Sequence, residues 1–535
     1  MKKLFLLIAA GCLFLNSAFS QNIQWQNTIG GSGEDKLYSL SLTTDGGCIC
    51  GGTSNSNISG DKTENSLGNR DYWIVKLDAL GNIQWQNTIG GSNHDDLYSI
   101  SQTVDGGYIC GGLSTSDISG DKTENSLGNA DYWLIKLDAV GNIQWQNTIG
   151  GNNNEYLYSI IQTSDGGYVC GGHSNSNISG DKTENSQNNT YDYWVVKLDS
   201  LGNAQWQNTI GGDNWDELHS IYQTIDGGYM CGGYSNSNIS GDKTENSWNN
   251  TYDYWVVKLD SLGNIQWQNT MGGSNDDLLH SISQTIDGNY ICGGYSNSNS
   301  SGDKTENTVG LYDYWIIKFI APGIIHWQNT IGGGDIDWLF SISQTVNVGY
   351  VLGGRSRSNI SGDKTENCNG FTDYWIVKTD SFGIIQWQNT VGGTNDDFLF
   401  SIKQTVDGAY YCGGYSLSSI SGDKTENSMG SWDYWVVKIN DTTITTTTQS
   451  AIQNPQSVIT ISPNPANEYS VISFQFKAGD EIRLTDVLGK TLFTKTIAAP
   501  TLNFKLQTLN FPNGIYFLNV QTQKGMVSSK VIVQH

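Results

Sequence analysis

Short runs that alternate apolar and polar residues recur along this chain, and no helical spacing separates them. In the stretch that starts at Asp95, Leu97 to Thr103 alternates and reads as a first strand. Asp105-Gly106-Gly107 reads as a turn, with Gly supplying positive φ, and Tyr108 to Ser114 as a second strand. A polar stretch from Thr115 to Ala130 precedes a third strand, Tyr132 to Leu137. Gly141-Asn142 turns the chain into a fourth, Ile143 to Ile149. The unit is about 60 residues long and occurs seven times. Trp-Gln-Asn-Thr begins at Trp25, Trp85, Trp145, Trp206, Trp267, Trp327 and Trp387, and Asp-Tyr-Trp at Asp71, Asp131, Asp192, Asp253, Asp313, Asp373 and Asp433.

Four antiparallel strands per unit and seven units predict an all-β fold, a seven-bladed β-propeller. Trp133, Ile135 and Leu137 fall on one sheet face and Tyr132 and Leu134 on the other, as expected for a blade packed between two neighbours. A fourth-strand sequence, Ile23 to Ile29, comes before any first strand, and the last copy stops after its third strand at Ile439. The N-terminal strand is therefore expected to complete the last blade and close the ring, which removes the open edges. The expected organisation is a signal peptide over 1–20, a propeller over 21–440, a Thr/Ser/Gln-rich linker over 441–457 and a small Ig-like β-sandwich over 458–535.

Charge and targeting add a setting. Lys2 and Lys3, the apolar run Leu4 to Leu15 and Ala18-Phe19-Ser20 form an export signal. No later segment has the length of a membrane helix. Residues 21–457 carry 48 acids against 19 bases, whereas residues 458–535 have a net charge of +3. The acidic part is expected to repel nucleic acid and anionic lipid and to favour solubility outside the cell. Six cysteines share one repeat position, where the seventh copy has Leu352, so that position reads as apolar packing, not a metal or disulfide site.

The longer connections, second to third strand and fourth to first, are expected on one end of the ring. That end carries Ser-Gly-Asp-Lys-Thr-Glu-Asn in every copy and acidic pairs such as Asp276/Asp277. The oxygen ligands of Asp61, Glu64, Asp121 and Glu124 suit a hard cation such as Ca²⁺, although the spacing fits no EF-hand and each loop holds a Lys. Turn capping and surface Lys–Glu contacts are the plainer reading, and no cofactor is required. The position after the second-strand Gly pair varies, and Tyr234, Tyr295, Arg355 and Tyr415 there form a candidate ligand-contacting set with Asp276 and Asp277. The six histidines are scattered, no Gly-x-Ser-x-Gly elbow or phosphate loop occurs, and near-identical copies argue against a catalytic site.

Gly272-Gly273-Ser274-Asn275-Asp276-Asp277, Asp226-Gly227-Gly228-Tyr229 and Asp192 to Asp199 resemble a bacterial β-propeller repeat family that has no single activity. The tail resembles the type IX secretion system C-terminal sorting domain. The motifs are Ile461-Ser462-Pro463-Asn464-Pro465, Ile482 to Leu492 with Asp486 and Gly489, and Asn513-Gly514-Ile515-Tyr516-Phe517. This likeness implies Sec export, passage across the outer membrane of a Gram-negative bacterium and contact between residues 458–535 and the secretion machinery. The expectation for the whole chain is a monomeric, non-catalytic surface or secreted module that binds glycan or protein. A carbohydrate-active enzyme and a structural surface-layer component are the alternatives.

Overall fold

The computed structural model of the chain describes residues 23–441, 460–462, 469–485, 490–498, 501–507, 511–512, 514–522 and 525–533. The expected signal peptide and all of the expected linker except Asp441 lie outside the described residues. The chain forms two compact units that divide at residue 444.

The first unit is seven four-stranded antiparallel sheets. In the second blade the strands are Asp95–Gln102, Tyr108–Ser114, Asp131–Leu137 and Ile143–Ile149, hydrogen-bonded in chain order. The first strand begins two residues before the alternation does, because Asp95 and Asp96 already pair with Ser114 and Leu113 of the second strand; the Asp95 N–H also bonds across to the Arg70 carbonyl of the preceding blade at 2.8 Å. The strand Ile23–Ile29 pairs antiparallel with Asp433–Ile439, so the first strand of the chain completes the seventh blade. The first strands of adjacent blades lie beside one another all the way round, which makes them the inner wall of the ring.

The core lies between blades. Tyr72 and Ile74 of the first blade pack with Leu97, Ile100, Trp133 and Ile135 of the second, and equivalent clusters fill the other joints. The Asp-Tyr-Trp motif makes each joint. The Tyr72 hydroxyl donates to the Trp133 carbonyl of the next blade, and the same bond recurs seven times at 2.8–3.0 Å. The seventh runs from Tyr434 to the carbonyl of Trp73, from last blade to first. Across each joint the Tyr and Trp rings lie 4.7–4.9 Å apart. The cysteines at the shared repeat position are fully buried and unpaired, and Leu352 is buried in the same way.

Among its described residues, the second unit has seven strands in two sheets. One orders Thr460–Ser462, Tyr469–Phe476 and Thr501–Gln507; the other orders Thr491–Thr496, Glu481–Thr485, Gly514–Thr522 and Gly525–Val533. Ile472 and Leu506 of the first share one core with Ile482, Leu484, Leu518 and Val531 of the second. The expected sandwich is therefore present.

The joint makes a testable statement about closure. Tyr254→Phe leaves the buried Trp315 carbonyl without its donor and should cost about 1–3 kcal/mol. Tyr434→Phe should cost the same in denaturant unfolding of the full chain. A silent Tyr434→Phe beside a destabilising Tyr254→Phe would mean that the last joint is not like the other six.

Candidate functional site

Each inner strand carries a β-bulge. In the first blade Leu37 pairs with Gly52 and Ser39 with Gly51, so Tyr38 has no partner across the ladder. The bulge recurs at Tyr98, Tyr158, His219, His280, Phe340 and Phe400. A bulge bends its strand and re-aims one side chain. Here all seven rings meet in a closed collar, each 4.5–5.3 Å from the next. The composition is unlike from blade to blade: three Tyr, two His, two Phe. This collar was not foreseen, and its signal is readable: seven aromatics stand at one repeat position.

The sequence-derived candidates Tyr234, Tyr295, Arg355 and Tyr415 pack directly against the collar. Tyr234 stacks on His219 at 5.0 Å, Tyr295 on His280 at 5.1 Å and Tyr415 on Phe400 at 5.2 Å, while Arg355 lies 5.7 Å from the Phe340 ring. They are not an exposed surface. Tyr234 and Tyr415 are buried, and Tyr295 and Arg355 are half-buried. Three of the six histidines read as scattered are brought together here: Tyr158 lies 4.5 Å from His219 and 5.4 Å from His173, and His219 lies 4.7 Å from His280. Burial pushes His173 down to about 4, so it is neutral at pH 7. Glu217 joins this group, accepting from the Tyr234 hydroxyl at 2.8 Å.

The largest departure lies in blades five to seven. Tyr295 stacks on Trp338 at 4.9 Å and 15°. The Arg355 guanidinium is clamped between Trp338 at 4.0 Å and Phe398 at 4.1 Å, and Phe398 lies on Trp432 at 5.2 Å. Beside the clamp opens a cavity of about 350 Å³, lined by Ile336, Trp338, Arg355, Arg357, Phe371, Thr372, Asp396 and Phe398.

The acidic pairs divide. Asp276 is half-buried and accepts from the Tyr252 N–H at 3.3 Å, at the edge of this region. Asp277 is fully buried, a correction to its reading as a ligand contact. Its N–H bonds to the Tyr252 carbonyl at 2.6 Å, and its carboxylate accepts from the Gly273 N–H and the Ser298 hydroxyl. This sets Asp277 beside Asp253 of the preceding blade, also fully buried. The same facing pair stands at every joint, with Glu155 replacing Asp opposite Asp131. Among the described residues, the Asp253 Oδ1 and its six third-strand counterparts have no hydrogen-bond partner. Burial, reinforced by the facing acid, lifts Asp192 and Asp253 to about 8 and Asp313 and Asp373 to about 7.

The repeated loop also differs from its reading as a surface feature. Lys62 is buried, with Nζ 5.2 Å from the Trp73 ring and 2.5 Å from the Thr88 hydroxyl. Burial lowers it to about 8. Glu64 accepts from the Thr88 N–H at 2.6 Å and Asp61 from the Gly30 N–H at 3.3 Å. Glu124 and Asp121 do the same with Thr148 and Gly90. Each loop carboxylate thus already ties the loop to a strand end. Among the described residues, no three His, Cys, Asp or Glu side chains converge as a metal-binding set.

Of the sorting-motif residues, Pro463, Asn464, Pro465, Asp486, Gly489 and Asn513 lie outside the described residues. Gly514 opens a strand, and the buried Tyr516 donates its hydroxyl to the Pro512 carbonyl at 2.7 Å. Residues 460–534 match the secretion system C-terminal sorting domain family. The tail is a type IX secretion sorting domain. It directs the chain to the cell surface or the extracellular space and implies contact with that machinery. Among the described residues, no helix is long and apolar enough to cross a membrane.

The chain is also similar to the regulatory protein FlaEY of Caulobacter vibrioides, 21% identical over 402 residues, which covers 68% of this chain and 40% of that protein. It thus spans less than half the length of that relative. Among solved structures, a copper-bound fungal alcohol oxidase of the AA5 family aligns over 96% of this chain and 100% of its own at 13% identity and TM-score 0.48. The Kuenenia stuttgartiensis hydrazine synthase aligns over 74% and 95% at 10% identity and TM-score 0.41. Neither likeness bears on the chemistry of this chain.

The buried acid pairs set a pH dependence. Each raised carboxyl holds its proton more tightly in the fold than in the unfolded chain. Its stabilisation is complete below the unfolded value of 3.8 and is lost as the pH rises through the folded value of 6 to 8. His173 and His280, both lowered by burial, work against this inside the window, two groups against the acid pairs of seven joints; two other classes titrate outside it. Asp45 is exposed and is held down to about 2 by hydrogen bonds from Lys76 and Thr43, so its contribution is lost only as the pH falls below 3.8. Lys62 has moved from 10.5 to about 8, so its contribution is lost as the pH falls from 10.5 through 8. The melting temperature of the full chain should therefore rise as the pH falls from about 8 to about 5. Asp192→Asn with Asp253→Asn should flatten that slope. A melting temperature that instead climbs from pH 5 to 8 would contradict the assignment.

Proposed function

We propose that this exported propeller is a non-catalytic binding module that takes an extracellular ligand at the long-loop end of the ring axis. One observation carries the reading: residues that differ between blades converge there, while residues common to all blades hold the ring. The collar, Tyr234, Tyr295 and Arg355 all belong to the variable positions. Convergence of unlike aromatic and charged groups in a concave region is what a small-molecule or glycan site requires. Binding residues also concentrate where a rigid scaffold presents them. Aromatic walls favour a carbohydrate over a folded protein, since the cavity of about 350 Å³ admits a compact unit and not a protein face. The reading needs no metal, because each loop carboxylate already accepts a backbone N–H.

A glycan array probed with the full chain tests this. Binding without turnover is expected. Trp338→Ala should weaken it at least about tenfold, the scale of one buried aromatic anchor. Val406→Ala, on a fully exposed short turn of the opposite end, should leave it unchanged. Sugar release, or sensitivity to Val406→Ala alone, would overturn the reading.

A further inference from the structure

The propeller has 19 cationic side chains, and 14 of them are used by the fold. Seven are the loop lysines of the Lys62 type, over their Trp rings; seven are the strand lysines of the Lys76 type, all buried. Lys36 pairs with Glu34 and Arg70 with Asp96. Lys403 stands alone on the inner strand of the seventh blade. That leaves Arg355 and Arg357, and both line one cavity. Neither guanidinium makes an ion pair or donates a hydrogen bond among the described residues; the Arg357 backbone N–H donates to the Ile336 carbonyl at 2.8 Å.

Blade six is built for this. Where the other blades put Glu34, His94, Asn154, Trp215, Asp276 and Asp396, it has Ile336; where they put Asn, Thr or Leu, it has Arg357. Phe371, 69% exposed, adds an apolar rim. The clamp fixes how Arg355 can be used. Trp338 and Phe398 cover the two faces of its guanidinium, so its N–H donors can act only in the plane, at the edge of the stack. A planar fork held in one orientation matches a carboxylate bidentately. Asp396 lines the same cavity and opposes an anion, but one carboxylate against two guanidiniums leaves the cavity positive. At physiological ionic strength the Debye length is about 8 Å, which screens the acids elsewhere on the ring.

We propose that this cavity takes the carboxylate of an acidic sugar, a uronic-acid unit of an extracellular polysaccharide, with the sugar ring against Ile336 and Phe371 and the carboxylate on Arg355 and Arg357. The proposal rests on the axial end being the binding site and adds the ligand class.

The probes are a hexagalacturonate, its methyl-esterified counterpart, a sulfated neutral oligosaccharide and a poly-glutamate peptide, each titrated calorimetrically into the full chain. Hexagalacturonate should bind and the methyl ester should bind at least tenfold more weakly. Arg357→Gln, on an exposed side chain whose loss leaves the clamp intact, should weaken hexagalacturonate at least tenfold without moving the melting temperature. Arg355→Lys should also weaken it, since charge is kept and the planar fork is lost. Equal binding of ester and acid with sensitivity to Trp338→Ala would overturn the carboxylate assignment and leave the axial site standing. Preference for the sulfated sugar or for poly-glutamate would overturn the ligand class. Hexagalacturonate binding indifferent to Trp338→Ala, Arg355→Lys and Arg357→Gln alike would overturn both readings.

Discussion

The hydrogen bond from each Asp-Tyr-Trp tyrosine to the tryptophan carbonyl of the next blade is the constraint on which the ring depends. A single four-stranded sheet has two apolar faces and no means of covering either. The tyrosine ring covers part of one face and reaches the backbone of the neighbour, so packing and registration are set by one side chain. A buried hydrogen bond of this kind contributes only about 1 kcal/mol net, and leaving its acceptor empty costs more. Repetition gives it weight, because each blade in a closed ring is held by two joints. The seventh bond, from Tyr434 to Trp73, is what turns a stack into a ring.

That constraint sorts the sequence into two populations. Residues in the joints cannot change singly without misfitting a neighbour, and they recur: the Tyr, the Trp, the facing acid pair and the loop lysine. Even the polar loop obeys this, since its Asp, Lys and Glu all reach strand ends. Residues on the inner bulge touch one another and the variable second-strand residues such as Tyr234 and Tyr295. They change freely, and the asymmetry that recognition needs accumulates there. The sorting domain carries none of it and supplies the destination.

Much of the fold was legible because period two is a strong signal in short strands. The fourth strands, the second strands and the closing strand Ile23–Ile29 fall where alternation puts them. Less of the site was legible. Alternation assigns faces within a strand, but it does not say which strand is innermost. Leu97 and Ile100 are both core yet three apart, a spacing that strict alternation forbids and a bulge allows. That spacing was the available sign of the collar. Asp277 misled for a different reason: an acid beside a Gly-rich turn reads as exposed, and only the backbone bond across the joint buries it. Lys62 likewise reads as a surface cation until Trp73 is placed beneath it.

On the proposed reading, positions common to all seven blades build the ring and positions that differ between blades do the binding. Hydrogen exchange of the full chain, with and without a saturating acidic oligosaccharide, tests it most directly. Ligand-dependent protection is expected at Trp338–Phe340, Arg355–Arg357 and Phe398–Phe400, with the seven Lys-Thr-Glu loops unchanged. Protection spread evenly over those loops, or confined to the short turns of the opposite end, would contradict it.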